Sequence, residues 1–352
     1  MESTTTGPAS VSQAGPDDER RTAVQPAFLL SQPRSGSTLV QRMLAGHPEI
    51  RTEAEPWVLL PVLHARRRRG AVASYSHFIA ANAITEYLDS LEDGEATWAR
   101  AVRAYAETLY AASLDPGERV FLDKTPRYYA VLPELFSVFP DGKFVFLWRN
   151  PLATLCSIVE IWGGGAWGPD LQHDDLFAGP RALVEAYRQN KDRACGVRFE
   201  DVIDRPADEL RRAAGYLGAD DSDATIDQML EGFASVKFSG NLGDPTGRKN
   251  YQSLSREPLE KWKRFVCNGL RKRWCRRYLN DLGEDLLGTM GYDIAELHRE
   301  LDGVSTTSRF FMKDLIAQPR NTLKLRFKSA VLDGRIQRVL RRTRGRPAKG
   351  GS

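Results

Sequence analysis

Ala27-Phe28-Leu29-Leu30-Ser31-Gln32-Pro33-Arg34-Ser35-Gly36-Ser37-Thr38-Leu39-Val40-Gln41-Arg42-Met43-Leu44 is the stretch that decides how this chain is read. Four apolar residues suit a buried strand, and a Pro/Gly turn rich in hydroxyls follows. Leu39, Val40, Met43 and Leu44 then recur at helical spacing until Gly46 and Pro48 end the helix. A strand, a tight loop and a helix start aim backbone N–H groups and the positive end of a helix dipole at one point, which suits an anion. Arg34 adds a full charge there, and Ser35, Ser37 and Thr38 add hydroxyl donors. The plain alternative is an ordinary strand-to-helix turn.

Working outward, other strand ends bring charge toward the same place. Ile50 to Thr52 reads as a short second strand, after which Pro56 holds Glu55 extended. In a parallel sheet built of right-handed crossovers the strand C-termini share one edge, so Glu55 is expected to face the Arg34 loop. Read plainly, Glu53 and Glu55 are solvated loop carboxylates. Val120-Phe121-Leu122 reads as a buried strand running into Asp123-Lys124-Thr125-Pro126-Arg127, with helical pattern from Tyr128 to Phe139. Lys143 to Trp148 is the clearest strand signal. It ends in Arg149-Asn150-Pro151, and the following helix, Leu152 to Ile161, carries Ser157 two turns beyond Arg149.

The residue at 149 discriminates between enzyme classes. A P-loop kinase or ATPase expects an acidic residue after such a strand to help hold Mg²⁺, and a Gly-Lys-Ser/Thr signature in the first loop. This chain has Arg149 and lacks the signature. Such a site expects an anion paired directly by protein groups, with no metal.

The remaining segments are less pointed. Arg66 to Arg69 form a basic run, read as a solvated helix end or as an entrance for an acidic acceptor. Residues 75 to 113 are helical in pattern, with Trp98, Ala99, Val102, Tyr105, Ala106 and Leu109 as the expected apolar face. The glycine-rich stretch from Ile161 to Pro169 is a connection or a lid whose Trp162 and Trp167 cover an acceptor. Leu183 to Asn190 is helical, Gly196 to Phe199 a further strand, and Leu210 to Leu217 a helix closed by Gly218. Gly243 to Ser253, with Arg248 and Lys249, is a polar loop of the kind that closes over a ligand.

Composition bounds the rest. The 352 residues, 41% hydrophobic and 27% charged, are enough for one large domain with extensions. No apolar run reaches the length of a membrane span and no leader pattern opens the chain, so a cytoplasmic protein is expected. Cys156, Cys195, Cys267 and Cys275 form no Cys-x-x-Cys pair, and neither a structural zinc nor a disulfide framework is expected. The net charge of +4 is uneven: from Arg309 onward 13 Lys/Arg face only Asp314 and Asp333, so this tail carries +11 and the residues before it −7. Leu323 to Lys328 mixes apolar and basic residues as a membrane-surface segment does, although plain solvation is the commoner meaning of such a tail. No nucleic-acid-binding motif is present.

Together these residues resemble the sulfotransferase family that uses 3′-phosphoadenosine 5′-phosphosulfate (PAPS). Gln32 to Leu39 is similar to the family's 5′-phosphosulfate loop, and Arg149 with Ser157 to its 3′-phosphate site. The Pro-Arg-Ser-Gly form is closest to the tyrosylprotein sulfotransferases and their bacterial relatives. Lys124 matches a lysine of that subgroup, and Glu55 falls where those enzymes place their base, with Glu53 as the alternative. The resemblance covers about residues 23 to 265. It implies a three-layer α/β fold with a central, mostly parallel sheet flanked by helices. Outside it, residues 1–22 are polar with no apolar period and are expected to be disordered, so the chain divides into that segment, a sulfotransferase domain over 23–300 and a basic extension over 301–352. The implied activity is metal-independent transfer of a sulfuryl group from PAPS, leaving PAP, to an acceptor hydroxyl, with a carbohydrate, glycolipid or small metabolite favoured and peptide tyrosine left open. Glu55, Arg34 and Lys124 would be catalytic. Arg34, Ser35, Gly36, Ser37, Thr38, Arg149, Ser157 and Lys249 would bind the donor. The basic tail would supply a peripheral membrane contact. A P-loop kinase or ATPase, or a non-enzymatic membrane or nucleic-acid binder, is the competing reading.

Overall fold

The structure, a computed structural model, describes residues 24–162, 167–236, 238 and 254–315, with the Trp162 side chain excepted. Segment 1–22, residues 163–166, the loop with Arg248 and Lys249, and the basic tail beyond 315 lie outside the described residues. Chain order begins β1 (Gln25–Ser31), α1 (Ser37–Leu44), β2 (Ile50–Arg51), α2 (Leu59–His64), α3 (His77–Asp89), α4 (Gly94–Ala111) and β3 (Val120–Asp123). A 3₁₀ turn (Pro126–Ala130) leads to α5 (Leu132–Val138), β4 (Lys143–Trp148), α6 (Pro151–Trp162), a π-helical turn (Asp174–Ala178) and α7 (Gly179–Gln189). Then come β5 (Ala194–Arg198), α8 (Phe199–Asp204), α9 (Pro206–Leu217) and α10 (Asp223–Gly232). Next come α11 (Glu257–Phe265), α12 (Gly269–Leu282), α13 (Glu284–Thr289) and α14 (Ile294–Asp302), and a helical turn over 311–315 ends the described chain.

The five strands form one parallel sheet in the order β2-β3-β1-β4-β5. Alternate residues of β1 point into opposite layers. Phe28 and Leu30 join Phe121, Phe144 and Phe146 under α4 to α7, while Ala27 and Leu29 join Leu122, Val145 and Leu147 under α1 and α8 to α10. Burial on both faces explains why these strands read as continuous apolar runs rather than alternating ones. The three-layer α/β architecture expected from the sequence is the one found. Among the described residues no helix is long and apolar enough to cross a membrane.

Local expectations shift in four places. The Tyr128 to Phe139 pattern breaks at Val131 (φ −137°), because Pro133 starts a new helix in its first turn. The inward stripe of α4 is Val102, Ala106 and Tyr110, leaving Tyr105 43% and Leu109 40% exposed. Tyr110 wins the core position because its ring stacks on Phe121 at 4.2 Å and its hydroxyl finds a buried partner. Glu55 is not extended: its φ is +20°, and Trp57 follows at +57°. Finally, Trp167 is buried to 1% against Phe265 and Trp274, so it is core and offers no stacking face to an acceptor.

Candidate active site

Strand β1 sits between β3 and β4, where the chain's crossovers change direction across the sheet, and in such sheets ligands bind outside the carboxyl ends of the strands at that switch point. The loop after β1 turns on two left-handed residues, Arg34 (φ +67°) and Gly36 (φ +86°). A side chain at 36 would be strained by that φ and would also place its Cβ 2.2 Å from Cε2 of Phe199. Arg34 is not a glycine, so its backbone stores strain of about 1 kcal/mol or more, held by the surrounding packing. Helix α1 starts directly behind this turn, with Ser35, Ser37 and Thr38 all buried at the loop.

The ends of β1 and β4 are knitted together by arginines. Nε of Arg34 donates to Oγ of Ser157 at 3.2 Å. The Arg149 guanidinium donates to the Arg34 carbonyl at 2.9 Å and to the Pro258 carbonyl at 2.6 Å, and its carbon lies 4.7 Å from the Phe199 ring centroid. Phe199 therefore supports both Gly36 and Arg149. The next residue, Asn150, caps α6 by accepting from Leu152 N at 2.9 Å, while its own N–H donates to Glu200 at 2.9 Å. Tyr292 donates to the other Glu200 oxygen at 2.6 Å.

The ends of β2 and β3 form the second half of the site. Nζ of Lys124 lies 2.8 Å from Oε1 of Glu55, with the lysine side chain 1% and the glutamate 15% exposed. Trp57 donates from Nε1 to Glu55 Oε2 at 3.3 Å and from its backbone N to Thr125 Oγ1 at 3.3 Å. Beneath this pair lies Asp123, wholly buried, accepting from Tyr110 at 2.6 Å, Tyr128 at 2.7 Å and Thr125 at 3.0 Å. Burial pushes the Asp123 carboxyl up despite these hydrogen bonds, and burial beside Asp123 pushes both tyrosines well above the ordinary phenol value. Gln41 of α1 donates to Thr52 Oγ1 at 2.7 Å and to the Glu53 carbonyl at 2.8 Å, and Thr52 in turn donates to the Leu122 carbonyl at 2.6 Å. The Glu53 carboxylate pairs with Arg51 at 2.7 Å.

The structure thus groups Arg34, Ser157 and Arg149 at the ends of β1 and β4, and sets Glu55 with Lys124 on the neighbouring strand ends. Lys249 lies outside the described residues. The Arg66–Arg69 run divides: Arg66 pairs with Glu95, Arg67 bonds Glu134 at 2.8 Å, and Arg68 and Arg69 are exposed. Sequence reasoning missed Gln41, Asp123, Phe199 and Asp175. Asp175 accepts from Arg127 at 2.8 Å and from Tyr129, and its carbonyl accepts from Gln32 at 2.9 Å, so it ties the first loop to the turn after β3. Only Gln41 left a usable signal, a polar residue inside the apolar stripe of α1.

The arrangement can hold a ligand with more than one anionic group, since guanidinium, ammonium and helix-start donors converge on it. The Sulfotransferase family model matches residues 26–223. Nodulation protein NoeE of Sinorhizobium fredii is 28% identical over 302 residues, covering 79% of this chain and 68% of that one. A protein-tyrosine sulfotransferase of Drosophila melanogaster is 24% identical over 205 residues, 56% of this chain but only 39% of the fly protein's length. Among solved structures, the sulfotransferase domain from the curacin biosynthetic pathway superposes with a TM-score of 0.51 at 19% identity, over 77% of this chain and 99% of that one.

Proposed function

This chain belongs to the sulfotransferase family, and from that premise we propose that it takes PAPS as donor and an acceptor hydroxyl as recipient, without a metal. The observation carrying this reading is the convergence of the Arg34–Ser157–Arg149 network and the Glu55–Lys124 pair on adjacent strand ends. Arg149 and Ser157 would hold the 3′-phosphate, with Lys249 as a further contact. Arg34, the N–H groups of the 35–38 turn and Lys124 would hold the 5′ group. The donor, when bound, supplies a sulfuryl group whose transfer leaves negative charge on a phosphate oxygen. Arg34 and Lys124 face that charge with fixed donors that need no reorganisation. Glu55 takes the acceptor's proton as general base. Glu55 is preferred to Glu53 because its carboxylate meets Lys124, whereas Glu53 is engaged with Arg51.

For the acceptor we propose a carbohydrate, glycolipid or small hydroxylated metabolite, and the protein-tyrosine relatives make a phenolic hydroxyl the competing class. A peripheral membrane contact of the basic tail belongs to the same proposal. Titration calorimetry without Mg²⁺ tests the donor. Adenosine 3′,5′-bisphosphate is expected to bind at least about tenfold more tightly than AMP, since a charge-assisted contact is worth about 1.5–3 kcal/mol. Equal affinity would sink the reading.

A further inference from the structure

After α14 the chain runs exposed from residue 305 to 313, yet Asp314 in its last described turn is 0% exposed. The Asp314 carboxylate accepts from Arg271 Nε at 2.7 Å and Nη2 at 2.9 Å, and from Asn268 Nδ2 at 2.8 Å. Arg271 is itself 1% exposed, donates Nη1 to the Phe265 carbonyl at 3.1 Å, and sits 4.7 Å from the Phe265 ring centroid and 5.2 Å from that of Trp167. A guanidinium buried among aromatic rings is costly unless a carboxylate balances it, so Asp314 is what lets Arg271 stand there.

Phe265 closes α11, and the other end of α11 carries Pro258, whose carbonyl accepts from Arg149 at 2.6 Å. A nine-residue helix is a stiff rod about 13 Å long. We propose that Asp314 is a positioning residue: the strap over 305–315 latches the far end of α11, and α11 thereby sets how Arg149 meets the donor's 3′-phosphate. The proposal rests on the donor reading above, and the latch lies beyond residue 223, where the family match ends.

Two readouts on the full chain test it. In Asp314→Asn the ratio of affinities for adenosine 3′,5′-bisphosphate over AMP should fall about tenfold, and amide exchange over 257–265 should accelerate. Asp302→Asn, which breaks only the exposed pair with Arg276, should change neither. Replacing both partners by apolar groups, Arg271→Met with Asp314→Leu, removes the buried charge and the bond to the Phe265 carbonyl together, so it should recover Tm while leaving both readouts altered. If Asp314→Asn does not fold, Asp314→Glu keeps the charge but shifts it, and should lower the ratio by about threefold. An unchanged ratio with only a lower Tm would make Asp314 a stability residue and overturn the proposal, as would a folded double variant that recovers both readouts without the latch. If the unaltered protein fails to discriminate the two nucleotides, the donor reading falls. The latch is then judged by exchange over 257–265 alone, with unchanged protection overturning it.

Discussion

Glu55 and Glu53 stand two residues apart, and their surroundings give them different work. Glu55 meets a buried ammonium at 2.8 Å and takes a second contact from the Trp57 indole, while Glu53 closes a partly exposed pair with Arg51. A residue before proline is normally driven to extended backbone, so the φ of +20° at Glu55 costs conformational energy that the Lys124 contact and the stitched 55–57 turn offset. Strain of this kind at an ionisable group is what a preorganised site shows. Glu55→Gln should therefore leave binding of adenosine 3′,5′-bisphosphate within about twofold while lowering turnover by about 10²-fold or more, the usual worth of a general base. Glu53→Gln should keep nearly full turnover. Turnover lost in Glu53→Gln and kept in Glu55→Gln would exchange the two roles.

At the scale of elements, a single carboxylate joins α4, β3 and the Pro126–Ala130 turn, because Tyr110, Tyr128 and Thr125 all donate to Asp123. This junction fixes the chain where Lys124 leaves the sheet. Since burial raises the Asp123 pKa in the folded state above its unfolded value, the folded protein holds that proton more tightly than the unfolded chain. Stability from this group is therefore present at low pH and lost as pH rises from the ordinary aspartate value through the raised one. Asp123→Asn cannot ionise and lacks this dependence. Urea unfolding from about pH 4 to about pH 7 should show the stability advantage of the original protein over Asp123→Asn shrinking with pH. An advantage that grows with pH would mean that the hydroxyl donors outweigh burial and that the carboxyl is shifted downward.

For the whole molecule, one sheet gathers the candidate residues at its carboxyl edge, and both layers behind it are packed apolar clusters. Ligand bound there should stabilise the entire fold by mass action. At a concentration about 100 times its Kd, adenosine 3′,5′-bisphosphate should add about 2.7 kcal/mol to unfolding, and EDTA should leave that gain intact. A gain abolished by EDTA would require a metal that the proposed chemistry omits. The fold class and the strand-end placement of the candidate residues were legible in the chain itself, since buried parallel strands are continuous apolar runs and each loop follows its strand directly. Arg34, Lys124 and Arg149 could be placed on one edge by that logic alone. The partners could not, because they come from far along the chain: Glu55 reaches Lys124 across 69 positions, Arg149 reaches Pro258 across 109, and Arg127 reaches Asp175 across 48. Sequence alone determined the strands, the tight loop after β1 and the charges at the strand ends, because these follow from local periodicity and backbone chemistry. Only the tertiary structure decided which carboxylate faces Lys124, that Trp167 is core, and that Asp314 returns to balance Arg271, because buried charges choose partners by packing in three dimensions and not by spacing along the chain.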